Sequence, residues 1–166
     1  FFPDLDERRL GFYSGILGSS FHVGSLAGSL LWGRMADVVG RKPVLMSGLF
    51  GTITAALLFG FAPTFTVAVM ARFLWGFLNG NAGVAKTCLG EILDDSNQAK
   101  GMAIFGVSGG IGRIIGPVIG GFLSQPADKY PLLDAPFFRT FPFCLPSMAM
   151  AAVCACILVS TNFLLE

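Results

Sequence analysis

Charge is what this chain has least of. Only 13% of its 166 residues are Asp, Glu, Lys or Arg, the net charge is +1, and no run of lysine or arginine stands anywhere. Tracking a phosphate backbone needs a basic footprint, so nucleic-acid binding is excluded. Histidine occurs once, and the four cysteines, Cys88, Cys144, Cys154 and Cys156, all lie in apolar runs. Cys154 and Cys156 stand two apart, which on a helix turns them to different faces, so no metal site is expected and each thiol reads as a small buried hydrophobe. No serine, histidine and aspartate constellation falls on loops, and no phosphate-cradling Gly-x-x-x-x-Gly-Lys precedes a helix. Hydrolases and nucleotide-driven pumps are thereby left without support, and with them any enzyme activity or cofactor. A basic segment ahead of a short apolar stretch is also missing, so no signal peptide is expected.

Apolar residues are what the chain has instead. They make up 54% of it, with a mean hydropathy of +0.71, which places it among membrane proteins with the lipid bilayer as first partner. Five runs are long enough at 1.5 Å per residue to cross a hydrocarbon core of about 30 Å. They are Gly11 to Met35, Val44 to Ala62, Phe65 to Leu93, Gly101 to Leu123 and Phe141 to Leu165. The expectation is an all-α polytopic membrane protein with five transmembrane helices. Polar stretches at 1–10, 94–100 and 124–140 read as aqueous loops. Small residues four apart, such as Gly11/Gly15, Ser14/Gly18 and Gly24/Gly28, let helix backbones approach where lipid supplies no hydrophobic drive. Trp32 and Tyr130 suit interfacial anchors.

The densest polar punctuation between two spans is Gly33-Arg-Met-Ala-Asp37-Val-Val-Gly40-Arg41-Lys42, a tight charged turn at a bilayer surface. Positive charge does not orient it. Arg34, Arg41, Lys42 and Lys100 lie on one side and Arg8, Arg9, Lys129 and Arg139 on the other.

The spacing of this turn resembles the loop between the second and third helices of the major facilitator superfamily. Arg72-Phe-Leu-Trp-Gly76-Phe-Leu-Asn79-Gly80 is similar to the superfamily's fourth-helix motif. Gly112-x-x-x-Gly116-Pro117-x-x-Gly120-Gly121 is similar to its fifth-helix motif, associated with antiporters, although Ala103 stands where that motif has a further glycine. A tighter resemblance is to the zinc-induced facilitator-like family, carried by Gly11 to Gly18, Trp32 to Pro43, Gly112 to Pro131 and Phe141 to Pro146. It implies helices two to six of a facilitator, a partial N-terminal six-helix bundle over 1–166 whose partner is the C-terminal half of the same transporter. It also implies a proton-coupled carrier of small metal-chelating molecules, metal complexes or monovalent cations. The membrane is plasma or vacuolar, without a choice between them, and the resemblance puts the Gly33–Lys42 and Asp94–Lys100 turns inside.

On that footing Gly33, Asp37, Gly40, Arg41 and Lys42 form a gating motif. Asp37 accepts hydrogen bonds from a nearby helix start, and Arg41 pairs with a carboxylate or carbonyls on a neighbouring helix. A cation at bilayer depth is costly and faces a partner or water. Lys86 is therefore the preferred substrate or ion-coupling residue. Arg72, fourteen residues earlier on the same face, serves coupling or structural pairing, or snorkels to the interface. Arg113 reaches the cavity or pairs across helices. Asn79 contacts substrate or the next helix. His22 carries a proton or bonds to a neighbouring helix. Gly76, Gly80, Gly112, Gly116, Pro117, Gly120 and Gly121 read as packing and bending elements, and Glu91 as a residue at the loop edge. A receptor or scaffold that keeps the fold without transporting, or an inactive fragment, are the rival readings.

Overall fold

The computed structural model describes residues 7–130 and 135–164, and every regular element among them is helical. In lipid each backbone polar group must be satisfied within its own segment, and long apolar runs meet that demand as helices. The elements are α1 (Glu7–Val39), α2 (Arg41–Gly60), α3 (Phe65–Leu78), α4 (Asn81–Ile92), α5 (Gln98–Leu123), α6 (Pro126–Lys129), α7 (Pro136–Thr140) and α8 (Cys144–Leu164). Of the polar stretch expected at 1–10, residues 1–6 lie outside the described residues, as does Pro131 of the matched stretch, and from Glu7 the chain is already helical.

One residue separates α1 from α2. Gly40 sits at φ 99°, a conformation that a side chain would strain, and this lets two membrane-length helices turn back within a single position. Pro43 falls in the first turn of α2, where its missing N–H costs nothing. At the opposite end Thr64 caps α3, its hydroxyl accepting from the Val67 N–H at 3.4 Å.

α3 then runs parallel to α1, and the two are joined from end to end. Tyr13 meets Phe65 edge-on at 5.1 Å and Phe21 meets Trp75 at 6.4 Å. Between and beyond those rings the helices touch by backbone. A Cβ on Gly24 or Gly28 would overlap the carbonyls of Phe73 or Phe77, and one on Gly76 would overlap that of Phe21. Gly24 and Gly28 thus fulfil the expected close approach, whereas Gly11, Gly15 and Gly18 face open space among the described residues. Three of the serines of α1 return their hydroxyls to their own helix, Ser14 to Gly11, Ser20 to Leu17 and Ser29 to Leu26 at 2.8–3.0 Å, which keeps them satisfied without water.

α2 lies antiparallel to this pair and to α8. Gly48 accommodates the side chain of Asn81, Gly51 that of Leu78, and Gly60 that of Ser147. Charged turns consequently gather at one end, with Asp37, Arg41, Lys42 and Glu91, while 61–64, 124–130 and 135–143 lie at the other. There the Gln125 N–H donates to the Pro142 carbonyl at 2.9 Å and ties the α6–α7 segment to the start of α8. α5 stands apart. None of its residues is buried, and Gly106, Gly109, Gly110, Gly112, Gly116, Gly120 and Gly121 have no atom within 4 Å of an added Cβ. The helix runs unbroken through Pro117.

Among the described residues three helices are long and apolar enough to cross a membrane, Arg41–Gly60, Gln98–Leu123 and Cys144–Phe163. α1 has the length, 33 residues or about 50 Å, but its glycines, serines and charges dilute it. The expected third span is two helices rather than one, because the chain leaves helical geometry at Asn79, with ψ at 64°. Trp32 departs from expectation as well. It is 8% exposed, packed with Ala36, Val44 and Val84, so it belongs to the core and not to the interface. Tyr130 is exposed, as an interfacial anchor would be.

Candidate gating site

Asp37 closes α1 and Arg41 opens α2, so the Gly40 corner sets them four residues apart on one surface. Arg41 Nη1 lies 3.2 Å from Asp37 Oδ1. The same guanidinium reaches α4 and grips both oxygens of Glu91, Nε donating to Oε2 at 3.3 Å and Nη2 to Oε1. A planar guanidinium matches a carboxylate in this two-pronged way, which gives the contact direction as well as strength. Glu91 therefore joins the candidate cluster, although its spacing alone reads as a loop residue. The missed signal was its charge, since a carboxylate one residue from a helix end is the natural partner for a basic loop on the same face.

Lys42 ties in a fourth helix. Its Nζ donates to the Asn162 carbonyl at 3.1 Å, among the last α8 carbonyls that have no partner further along the helix. One six-residue corner, Asp37 to Lys42, thus holds α1, α2, α4 and α8 together at one end of the bundle. Arg41, Asp37 and Glu91 expose 24%, 70% and 55% of their side chains, so each pair is of the solvent-screened kind that contributes little and parts readily.

Behind the latch lies a cavity of about 460 Å³ between α1 and α4, lined by Ser25, Ser29, Gly33, Asp37, Arg41, Asn79 and Thr87 among others. Asn79 borders it from the α3–α4 break, and Gly33 lends it space, with nothing within 4 Å of an added Cβ.

The remaining candidates scatter. The break at Asn79 interrupts the continuous helix on which Arg72 and Lys86 would share a face. The Arg72 guanidinium is sandwiched 4.6 Å from the Phe59 ring and 5.2 Å from the Trp75 ring, and its buried Nε has no hydrogen-bond partner among the described residues. Lys86 is exposed on α4, and Arg113 is exposed on α5. His22 keeps its Nδ1 within its own helix, 2.9 Å from the Gly18 carbonyl, and so does not bond to a neighbouring helix through that atom. Gly76 and Gly80 are packing residues, against Phe21 and Trp32 respectively. Gly112, Gly116, Gly120 and Gly121 meet no other part of the described chain, so their packing role finds no neighbour within it.

Residues 9–163 match the model of the Major Facilitator Superfamily. The chain belongs to that superfamily. Among curated superfamily relatives it is 38% identical to a probable peptide/nitrate transporter of Arabidopsis thaliana, over 96% of this chain and 34% of that protein. It is 41% identical to the protein ZINC INDUCED FACILITATOR 1 of the same plant, over 96% of this chain and 33% of the other. A major facilitator superfamily multidrug transporter of Aspergillus fumigatus is 41% identical, over 93% of this chain and 25% of that protein. The likeness to zinc-induced facilitators expected from the motifs is thus met. The chain spans about a quarter to a third of these relatives' lengths. No solved structure matches it.

Proposed function

We propose that this chain is part of a secondary active carrier, and that it supplies helices two to six of an N-terminal six-helix unit that works against a C-terminal half by alternating access. In this reading α1, α2, α3 with α4, α5 and α8 are the five crossings, α3 and α4 together making one. The carrier reading rests on transporter-named relatives, and above all on the Arg41 latch, which draws α1, α2 and α4 together at one face through contacts weak enough to reverse. Proton-coupled antiport of a small molecule, metal chelate or cation is the activity proposed, in a plasma or vacuolar membrane. Lys86 and Arg113, exposed cations on helices of membrane length or half-length, are the proposed coupling residues, with His22 as a further proton carrier. α5 presents its glycines to the C-terminal half. A non-transporting receptor or scaffold is the competing function.

The test uses the intact carrier in liposomes loaded with a pH-reporting dye. An imposed proton gradient should drive uptake of at least one of three probes: zinc ion, zinc with an organic chelator, or potassium. Lys86→Gln and Arg113→Gln should each lower that uptake by roughly tenfold or more, the scale on which positioned proton-transfer groups act. Uptake that survives both changes removes these residues from the coupling path. Counterflow absent for every probe favours the scaffold.

A further inference from the structure

The break between α3 and α4 has no proline to cause it, the nearest being Pro63 and Pro117. What stands at the break is Trp32. Its indole N–H donates to the Phe77 carbonyl at 2.6 Å, one of the terminal α3 carbonyls that interruption of the helix leaves without a continuing partner. The same ring fills the place where residue 80 would carry a Cβ, overlapping it through its own Cβ, Cγ and Cδ1. Gly80 has ordinary right-handed backbone angles, φ −78° and ψ −9°, so the indole, not the backbone, demands glycine there. Beyond Gly80, Trp32 packs on Val84, the one buried residue of α4.

α4 is therefore a lightly held body. It is fastened near its start by Trp32, near its end by Arg41 on Glu91, and along one side by Asn81 against Gly48. Its other side, at Gly83 and Thr87, faces the 460 Å³ cavity. Elements with few buried contacts are those that move. We propose that Asn79–Gly80 is a hinge, that Trp32 is the residue positioning it, and that α4 swings about it to open the cavity when the Arg41–Glu91 latch parts. This rests on the carrier reading for its purpose, though not for its geometry.

The experiment reads the hinge without a transport assay. In the intact carrier, with the four native cysteines replaced by alanine, single cysteines at Thr87 on α4 and at Ser160 on α8 are labelled with a membrane-impermeant maleimide. Trp32→Phe keeps a ring and deletes the donor. It should speed labelling at Thr87→Cys about fivefold, as loss of one hydrogen bond allows, and leave Ser160→Cys unchanged. Unchanged labelling at Thr87→Cys, or equal acceleration at both sites, overturns the hinge. Should Trp32→Phe not fold, Gly80→Ala displaces the ring from the other side and is read identically. A carrier that moves no probe yet shows the selective acceleration loses its transport reading and keeps its hinge.

Discussion

Gly76→Ala should leave α1 and α3 unable to pack. The added methyl would occupy the space of the Phe21 carbonyl and lie 2.9 Å from the Ser25 nitrogen, and backbone, unlike a flexible side chain, has no rotamer to yield with. Overpacking of this kind costs about 3 kcal/mol where a core can adjust, and here the whole helix pair must separate. Because α1–α3 contact is by close approach of small residues in a medium with no hydrophobic drive between helices, nothing replaces what is lost. Thermal unfolding in detergent, followed by size exclusion, should show a large fall in the midpoint or no monodisperse protein. Gly18→Ala, on α1 itself, is the matched control. Its methyl meets nothing among the described residues, so the same measurement should move by no more than about 0.5 kcal/mol.

The second large effect lies at the latch. Arg41→Glu places a third carboxylate between Asp37 and Glu91, converting two attractions into two repulsions. Gradient-driven transport by the intact carrier should fall more than tenfold, with protein abundance preserved because all three side chains are partly solvated. Adding Glu91→Arg restores one pair in reversed polarity and should recover most of the loss. Each wild-type pair is screened by salt, since the Debye length is about 8 Å at physiological ionic strength, so the gap between Arg41→Glu and wild type should narrow in high salt. A double variant no better than the single would mean that the charges act separately, not as one latch.

Much of this was legible in residues. The apolar runs and the charged residues 33–42 between two of them announce helices joined by a tight turn, and Arg41 reads there as pairing with a carboxylate on a neighbouring helix; that the corner is one residue long and that Arg41 also pairs with Asp37 came only with the structure. Gly76 and Gly80 declared packing positions, though not which helix would fill them. What stayed hidden depended on partners distant in sequence. Glu91 is fifty residues from Arg41, and no local pattern links them. Trp32 looks amphipathic in isolation and becomes core only when Gly80 and Val84 arrive against it. Asn79-Gly80 sits in an apolar run whose length suggests one continuous helix, and only the indole bonding to Phe77 exposes the break. α5 is the converse case, a glycine pattern easily read whose neighbour is not among the described residues.

Sidedness tests the whole account most directly. Single cysteines placed at Asp37, Asp95, Asp128 and Arg139 of the intact carrier, in sealed oriented vesicles, are exposed to an impermeant thiol reagent from one side at a time. Antiparallel crossings joined by the Arg41 latch predict that positions 37 and 95 react together from one side and 128 and 139 together from the other. Positions 37 and 95 reacting from opposite sides would contradict it, for Arg41 and Glu91 would then be separated by the thickness of the bilayer.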